Sequence, residues 1–457
     1  MQIGAIGPTG PRGYTLNPAL AALRSLPLTS IRGIAGLFDA DFAYTDAART
    51  TLAADGEEVL GMTNLAGAVH ASTTATNGHT LVVDSSGKRW IKAGGAGKRC
   101  VASAFFGAGV ASTGASMYAL VKAVDEDGVP SANDGRDALG GSAGRLYRTW
   151  NDGSNWQAAT TGHADGATAF PGETISQYLV LWSVTTATTR TVGVNGHYVT
   201  ETGLSGTWTT AGDLIIGNHT GFASAWDTLL KKALVCTVNH SIEEARMVVA
   251  QLLASNGTIR NVGIDGDSLV VGGSMSEFAT GRGRKLQGST GARLQILRPD
   301  MAVTLYGTSG AVLDDMLADD QSTVGLQELP HMQQTAAVLW GGTNDIDAST
   351  AAATSFAKVQ TWVAAQKALG LTAIVCTIHD INWSAAKELI RAEFNALIRA
   401  NAPVDGYFVA DLAETAELMD HTSATYYEAD GLHLKVAGTS VAARVISDAL
   451  TMAERSA

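Results

Sequence analysis

Two patterns of apolar residues divide the chain. From about Gly36 to Thr237 the apolar positions come in short runs rich in Val, Ile, Leu, Tyr and Trp, separated by clusters of Gly, Asn, Asp and Ser. The runs Thr80–Asp84, Met117–Val124, Arg145–Trp150, Gln177–Thr185, Thr189–Val194 and Asp213–Ile216 read as strands, because β-branched and aromatic side chains suit a pleated, half-buried surface. Asn195-Gly196 sits between two runs and signals a hairpin, since a two-residue turn asks for positive φ at both positions. Many short strands at this spacing predict an antiparallel sandwich. A helix over Ser241–Ala254 closes the segment, with Ser241 and Glu244 spaced as a capping box and Asn256-Gly257 as its stop.

After Thr258 the period changes. Arg260–Ile264, Met301–Tyr306, Ala336–Trp340, Thr372–Cys376 and Gly406–Ala410 are continuous apolar strands, and Ala351–Leu369, Ala385–Ala400 and Val436–Glu454 have helical spacing. Strands of this kind alternating with helices predict a parallel sheet covered on both faces, an α/β three-layer sandwich. The expected division is a leader over 1–35, an all-β sandwich domain over 36–257 and the α/β domain over 258–457.

Composition narrows the picture. At 457 residues the chain is too long for one core, and 46% hydrophobic with 16% charged residues is the balance of a folded protein. The net charge is −12, and the segment from Thr258 onward carries 14 basic against 23 acidic residues. Nucleic-acid binding is not expected from such a surface. Met1 to Gly13 lacks the basic start and apolar core of a secretory signal, and no apolar run is long enough to span a membrane. Cys100, Cys236 and Cys376 are too scattered for a disulfide framework or a zinc site and read as buried small hydrophobes. No metal or cofactor is expected. Gly4, Gly7, Gly10 and Gly13 keep the collagen triplet, too briefly to hold a triple helix alone; the leader is a flexible Gly/Pro segment or the end of a trimeric stalk.

Chemistry concentrates in four short segments of the α/β half. Gly266-Asp267-Ser268-Leu269 follows the first strand, Tyr306-Gly307-Thr308-Ser309-Gly310 the second, and Gly341-Gly342-Thr343-Asn344-Asp345 the third; Asp430-Gly431-Leu432-His433 precedes the last helix. A Ser at the carboxyl end of the first parallel strand faces the crevice where open α/β sheets bind ligands. A Ser hydroxyl needs a base, and His433 with Asp430 three residues before it offers a base and a carboxylate on one loop. His379 and His421 are rival bases, but neither has an Asp at that spacing. Asp267 is either a solvated loop residue or a buttress of the nucleophile turn. Asp345 is either a plain cap for the helix that follows or part of the site, and Asp411 is structural.

In order and context these segments resemble the four blocks of the GDSL, or SGNH, hydrolase family, over residues 260 to about 450. The resemblance implies an SGNH hydrolase fold and a serine esterase with Ser268 as nucleophile, His433 as base and Asp430 as its partner. It also implies an oxyanion hole made by the backbone N–H groups of Ser268 and Gly310 and the side-chain amide of Asn344, with Gly307 a less fitting donor than Gly310. Glycine at 310 is expected to let the backbone approach closely. Leu434 stands where many relatives have Pro after the His.

In the first half, VGVNGHYV, LIIGNHTG and the strand KALVCTV followed by SIEEARMVVAQLL resemble the end of concanavalin A-like or laminin-G-like jelly-roll modules. Residues 36 to 67 resemble the opening of such modules in phage tail and other virion proteins. Trp150, Trp156 or Trp208 could stack on sugar rings, although each suits a core or strand-edge position as well. Together these resemblances imply a carbohydrate O-deacetylase on a phage tail or related particle, virion or extracellular. Its partners would be an acylated glycan or small ester and other virion proteins, and it could be a homotrimer. The alternatives are a free lipase or thioesterase with a lectin-like accessory domain, and a structural or glycan-binding virion protein with a vestigial hydrolase half.

Overall fold

The structure is a computed structural model. It describes residues 27–73, 78–84, 87–92, 99–103, 105, 114–123, 136–141, 144–151, 155–159, 173–174, 178–186, 188–202, 213–217, 228–272, 288–320 and 334–456. The triplet leader, Trp208 and the side chains of Trp150 and Trp156 lie outside them.

The chain folds as two compact units that part between Gly257 and Thr258. The first unit is antiparallel and fits a β-sandwich. Its opening strand, Ile34–Tyr44, begins before the boundary expected at 36 and pairs with both Gly61–Asn64 and Thr228–Cys236. The strand Ala115–Ala123 lies between Thr228–Cys236 and Tyr178–Thr185. Its Met117, Ala119 and Val121 enter a core with Phe38, Ile91, Leu181 and Val235. On its other face Tyr118 hydroxyl meets His240 Nδ1 at 2.6 Å. The expected hairpin forms: Val194 faces His197, and Asn195 takes φ +50° while its side chain accepts from the Val180 N–H. The closing helix, Ile242–Ala254, has the full capping box at Ser241 and buries Ala245, Val248, Val249 and Leu252, the i, i+3, i+4, i+7 stripe of a helix with one packed face.

The second unit is the expected α/β layer structure, and its elements are numbered here within the unit. Five parallel strands, β1 Arg260–Gly266, β2 Met301–Leu305, β3 Gln334–Trp340, β4 Thr372–Cys376 and β5 Phe408–Ala410, lie in the order β2-β1-β3-β4-β5. The helices are α1 Ser268–Val271, α2 Thr290–Leu297, α3 Leu313–Asp320, α4 Thr343–Asp347, α5 Ala352–Ala368, α6 Ala385–Asp405 and α7 Val436–Ser456. Alternation along β3 sends Ala336, Val338 and Trp340 into a core with Val441, Ile446 and Leu450 of α7. Ala337 and Leu339 point the other way, into a core with Phe356 and Val359 of α5 and Phe394 of α6. Both faces are therefore covered, which is why these strands read as unbroken apolar runs. Arg298 and Glu454 pair at 2.6 Å, joining the approach to β2 to the end of α7.

Two features of this unit differ from the sequence expectation. Gly406 was expected to open a strand. It instead ends α6 in the left-handed region at φ +71°, and its N–H goes to the Ala402 carbonyl, so β5 starts later. The sheet also gains an antiparallel strand, Glu173–Thr174, on the outer edge of β2, from a stretch whose neighbours in sequence belong to the first unit.

Candidate active site

With β2 on one side of β1 and β3 on the other, the chain reverses direction of sheet growth at β1, and the crevice beyond its carboxyl end is the topological switch point. β1 ends at Gly266, where a Cβ would lie 2.3 Å from the Trp340 carbonyl oxygen. Asp267 caps α1, its carboxylate accepting from the Leu269 N–H at 2.9 Å. That cap makes Ser268 the first helical residue, so its own N–H has no intrahelical partner.

The sequence-predicted residues converge here. Ser268 Oγ lies 2.9 Å from His433 Nε2, and His433 Nδ1 lies 2.7 Å from Asp430 Oδ2. An ionised carboxylate can only accept, so Nδ1 carries the proton and Nε2 turns its lone pair to the hydroxyl. Asp430 also accepts from the backbone N–H groups of Leu432 and His433, at 2.9 and 3.0 Å. Burial works to raise the Asp430 carboxyl, but the His433 hydrogen bond and these two N–H groups outweigh it and hold it below the ordinary carboxylate value. The three-residue spacing follows from this turn, in which the Asp side chain folds back over its own loop.

Gly310 is exposed with φ +83°, and a Cβ there would meet nothing. Glycine is required by the backbone conformation rather than by close approach, which corrects the expectation. Crowding falls instead on Gly307, where a Cβ would sit 3.0 Å from the Asp267 carbonyl oxygen. Asn344 donates from Nδ2 to the Ala311 carbonyl at 2.8 Å and stands 3.4 Å from Asp267 Oδ2. One amide hydrogen is committed, and the other is held loosely beside the nucleophile turn.

Of the two readings of Asp345, neither is met as stated. Its buried carboxylate accepts from the Leu313 N–H at 2.8 Å, so it caps the preceding α3 rather than the helix that follows. Lys358 Nζ bridges Asp345 and Asp314 at 3.0 and 2.9 Å. Asp345 thereby fastens the segment bearing Asn344 to the one bearing Gly310. Asp267 is fully buried, not solvated. Burial pushes its carboxyl up to about 6, against the opposing pull of the Leu269 N–H and the His433 ring. Asp411 takes two hydrogen bonds from Arg399 and one from Thr377, an ion-pair role away from the reacting groups.

Neither rival histidine meets Ser268. His379 is buried between Trp340 and Tyr427, and its Nε2 donates to the Leu432 carbonyl at 3.2 Å. His421 does have a carboxylate partner, Asp380 at 2.7 Å, but one that lies 41 residues away, beyond any local spacing rule. A cavity of about 310 Å³ opens beside Gly310, lined by Tyr306, Thr308, Ser309, Asp315 and Met316. The three cysteines are buried and free, and burial pushes the Cys100 and Cys236 thiols up to about 12. Among the described residues no group of three or more His, Cys, Asp or Glu side chains could hold a metal ion, and no helix is long and apolar enough to cross a membrane.

The model of the GDSL-like Lipase/Acylhydrolase family matches residues 266–441, the span that holds all four segments. No curated protein matches the chain. Among solved structures, a member of the lipolytic protein G-D-S-L family from Veillonella parvula is 14% identical, with 42% of this chain and 98% of that one covered at a TM-score of 0.34. LAE5, an alpha/beta hydrolase enzyme from the Lake Arreo metagenome, is 20% identical over 42% of this chain and 94% of its own, TM-score 0.34. Axe2, an acetylxylan esterase from Geobacillus stearothermophilus, is 19% identical over 42% and 95%, TM-score 0.33. By the match to the family model, residues 266–441 are a GDSL-like lipase/acylhydrolase domain.

Proposed function

We propose that this chain is a serine esterase that removes short acyl groups, O-acetyl above all, from a carbohydrate. The observation that carries the reading is the unbroken chain of two hydrogen bonds from Ser268 through His433 to Asp430. In the reaction Ser268 Oγ attacks the ester carbonyl while its proton passes to His433 Nε2. Asp430 stabilises the imidazolium that forms. The backbone N–H groups of Ser268 and Gly310 and the Asn344 amide take the charge that develops on the carbonyl oxygen. His433 returns its proton to the leaving alcohol, and water then hydrolyses the acyl-enzyme by the same route in reverse.

The cavity beside Gly310 is lined by Tyr306, Thr308, Ser309 and Asp315 together with the apolar Ala311 and Met316, a mixed wall that supports a small substrate with polar groups. Its polar side chains suit a hydroxylated alcohol. The first unit is proposed to be a jelly-roll module that tethers the glycan or assembles the particle. A phage tail or related virion is the proposed setting, on the strength of the triplet leader and the resemblance of residues 36 to 67.

Ser268→Ala tests the reading. The variant should keep the fold and lose turnover of p-nitrophenyl acetate and of an acetylated oligosaccharide, because the hydroxyl is needed only for the covalent step. Activity near that of the unaltered chain would remove Ser268 as nucleophile. Turnover of long-chain p-nitrophenyl esters in preference to acetate would favour the lipase alternative.

A further inference from the structure

We propose that His379 is a positioning residue for the hydrolytic step: its Nε2–H fixes the Leu432 carbonyl and, through it, the turn that aims His433 at Ser268. The proposal rests on the esterase reading above.

Three successive carbonyls follow Asp430 along that turn. The Gly431 oxygen accepts from the Asn382 N–H at 3.0 Å and the His433 oxygen from the Glu428 N–H at 2.8 Å. Both donors are backbone groups, which a side-chain substitution does not delete. The oxygen between them, on Leu432, is held by the His379 ring at 3.2 Å. A carbonyl only accepts, so His379 must carry its proton on Nε2. Nδ1 is then a bare acceptor, and it is buried without a partner. Burial lowers the ring to about 4, so it stays neutral at neutral pH.

A histidine that only filled space would be poorly chosen. Its ring lies between Trp340 and Tyr427, at centroid distances of 5.8 and 5.6 Å, a setting that phenylalanine would share. A buried polar atom left unpaired costs stability. The residue thus carries a stability penalty at Nδ1, and what it adds over an apolar ring is the one hydrogen bond to the turn next to His433.

The test compares His379→Phe, which keeps a ring and deletes the donor, with His379→Gln, whose amide can place an N–H near the same point. Both are made in the full chain. Assays are kcat and KM on p-nitrophenyl acetate, thermal midpoint, and the downfield NMR resonance of the His433 Nδ1 proton, which needs no turnover. His379→Phe is expected to lower kcat on the order of tenfold, the worth of about one hydrogen bond, with KM nearly unchanged. Its thermal midpoint should change little, because the unpaired Nδ1 is removed while the Leu432 carbonyl loses its donor, and the His433 proton resonance should shift or broaden. His379→Gln should recover most of kcat. Unchanged kcat and an unchanged resonance in His379→Phe would overturn the proposal. So would a fall in activity matched by a fall in thermal midpoint with no recovery in His379→Gln, which would make His379 a packing residue. If the Phe variant does not fold, His379→Met makes the same comparison. Should Ser268→Ala remain active, the esterase reading fails separately, while the His433 resonance still decides whether His379 sets that ring.

Discussion

Asp267→Asn offers a quantitative test of how the nucleophile turn is built. The Asp267 carboxyl has no exposure to solvent, and burial raises it from 3.8 to about 6. A rise of about two units corresponds to roughly 3 kcal/mol between the two protonation states. The direction follows from linkage. Below the ordinary value of 3.8 both the folded and unfolded chains hold the proton, and the contribution to stability is fully present. As pH rises from there, the unfolded chain ionises first, and stability is lost until the folded group ionises near 6. Asparagine cannot ionise. The stability of the unaltered domain relative to Asp267→Asn should therefore fall by roughly 3 kcal/mol between about pH 3.5 and about pH 7. Because a two-unit chain need not unfold in one step, the measurement should be local: hydrogen exchange of a peptide spanning Gln334–Trp340, followed across that pH range. At neutral pH the variant should be the better protected and yet the slower enzyme. Its side chain no longer offers a carboxylate to Asn344, nor a negative charge to the imidazolium formed on His433. A flat difference across the pH range, or one that grows with pH, would refute the reasoning.

Other expectations follow from the same geometry. Asn344→Ala should lower kcat far more than it raises KM, by about 2.7–4 kcal/mol in barrier, since the role proposed for its amide is to meet charge that develops only in the transition state; a change confined to KM would make it a substrate-binding residue. EDTA should leave the rate unchanged if, as proposed, His433 activates Ser268, and a loss restored by zinc or calcium would contradict the assignment. Residues 258–457 expressed alone should hydrolyse p-nitrophenyl acetate, but without Glu173–Thr174 the outer edge of β2 loses its strand partner among the described residues, and light scattering should reveal self-association. A strictly monomeric fragment would make that strand dispensable.

Much of the site was legible because its logic is local or sits at strand ends. Ser268, Gly310 and Asn344 each follow a parallel strand, so strand pattern alone placed them at one end of the sheet. Asp430 and His433 share a turn, and three residues of spacing carry the whole interaction. The helix capping box and the Asn195 hairpin were likewise complete within a few residues.

What the tertiary structure decided are the contacts whose partners are remote. Asp345 reaches the N–H of Leu313, 32 residues back, so a motif residue that looked like a cap for the helix after it caps an earlier one. His421 finds Asp380 and His379 finds the Leu432 carbonyl only because the loops after β4 and β5 pack against the final turn. Glu173–Thr174 carries no pattern of its own and is a strand only where the open edge of β2 supplies hydrogen-bonding groups. Sequence periodicity reports which face of an element is buried; it does not report what a buried polar group meets, because that is set by how several elements pack at once.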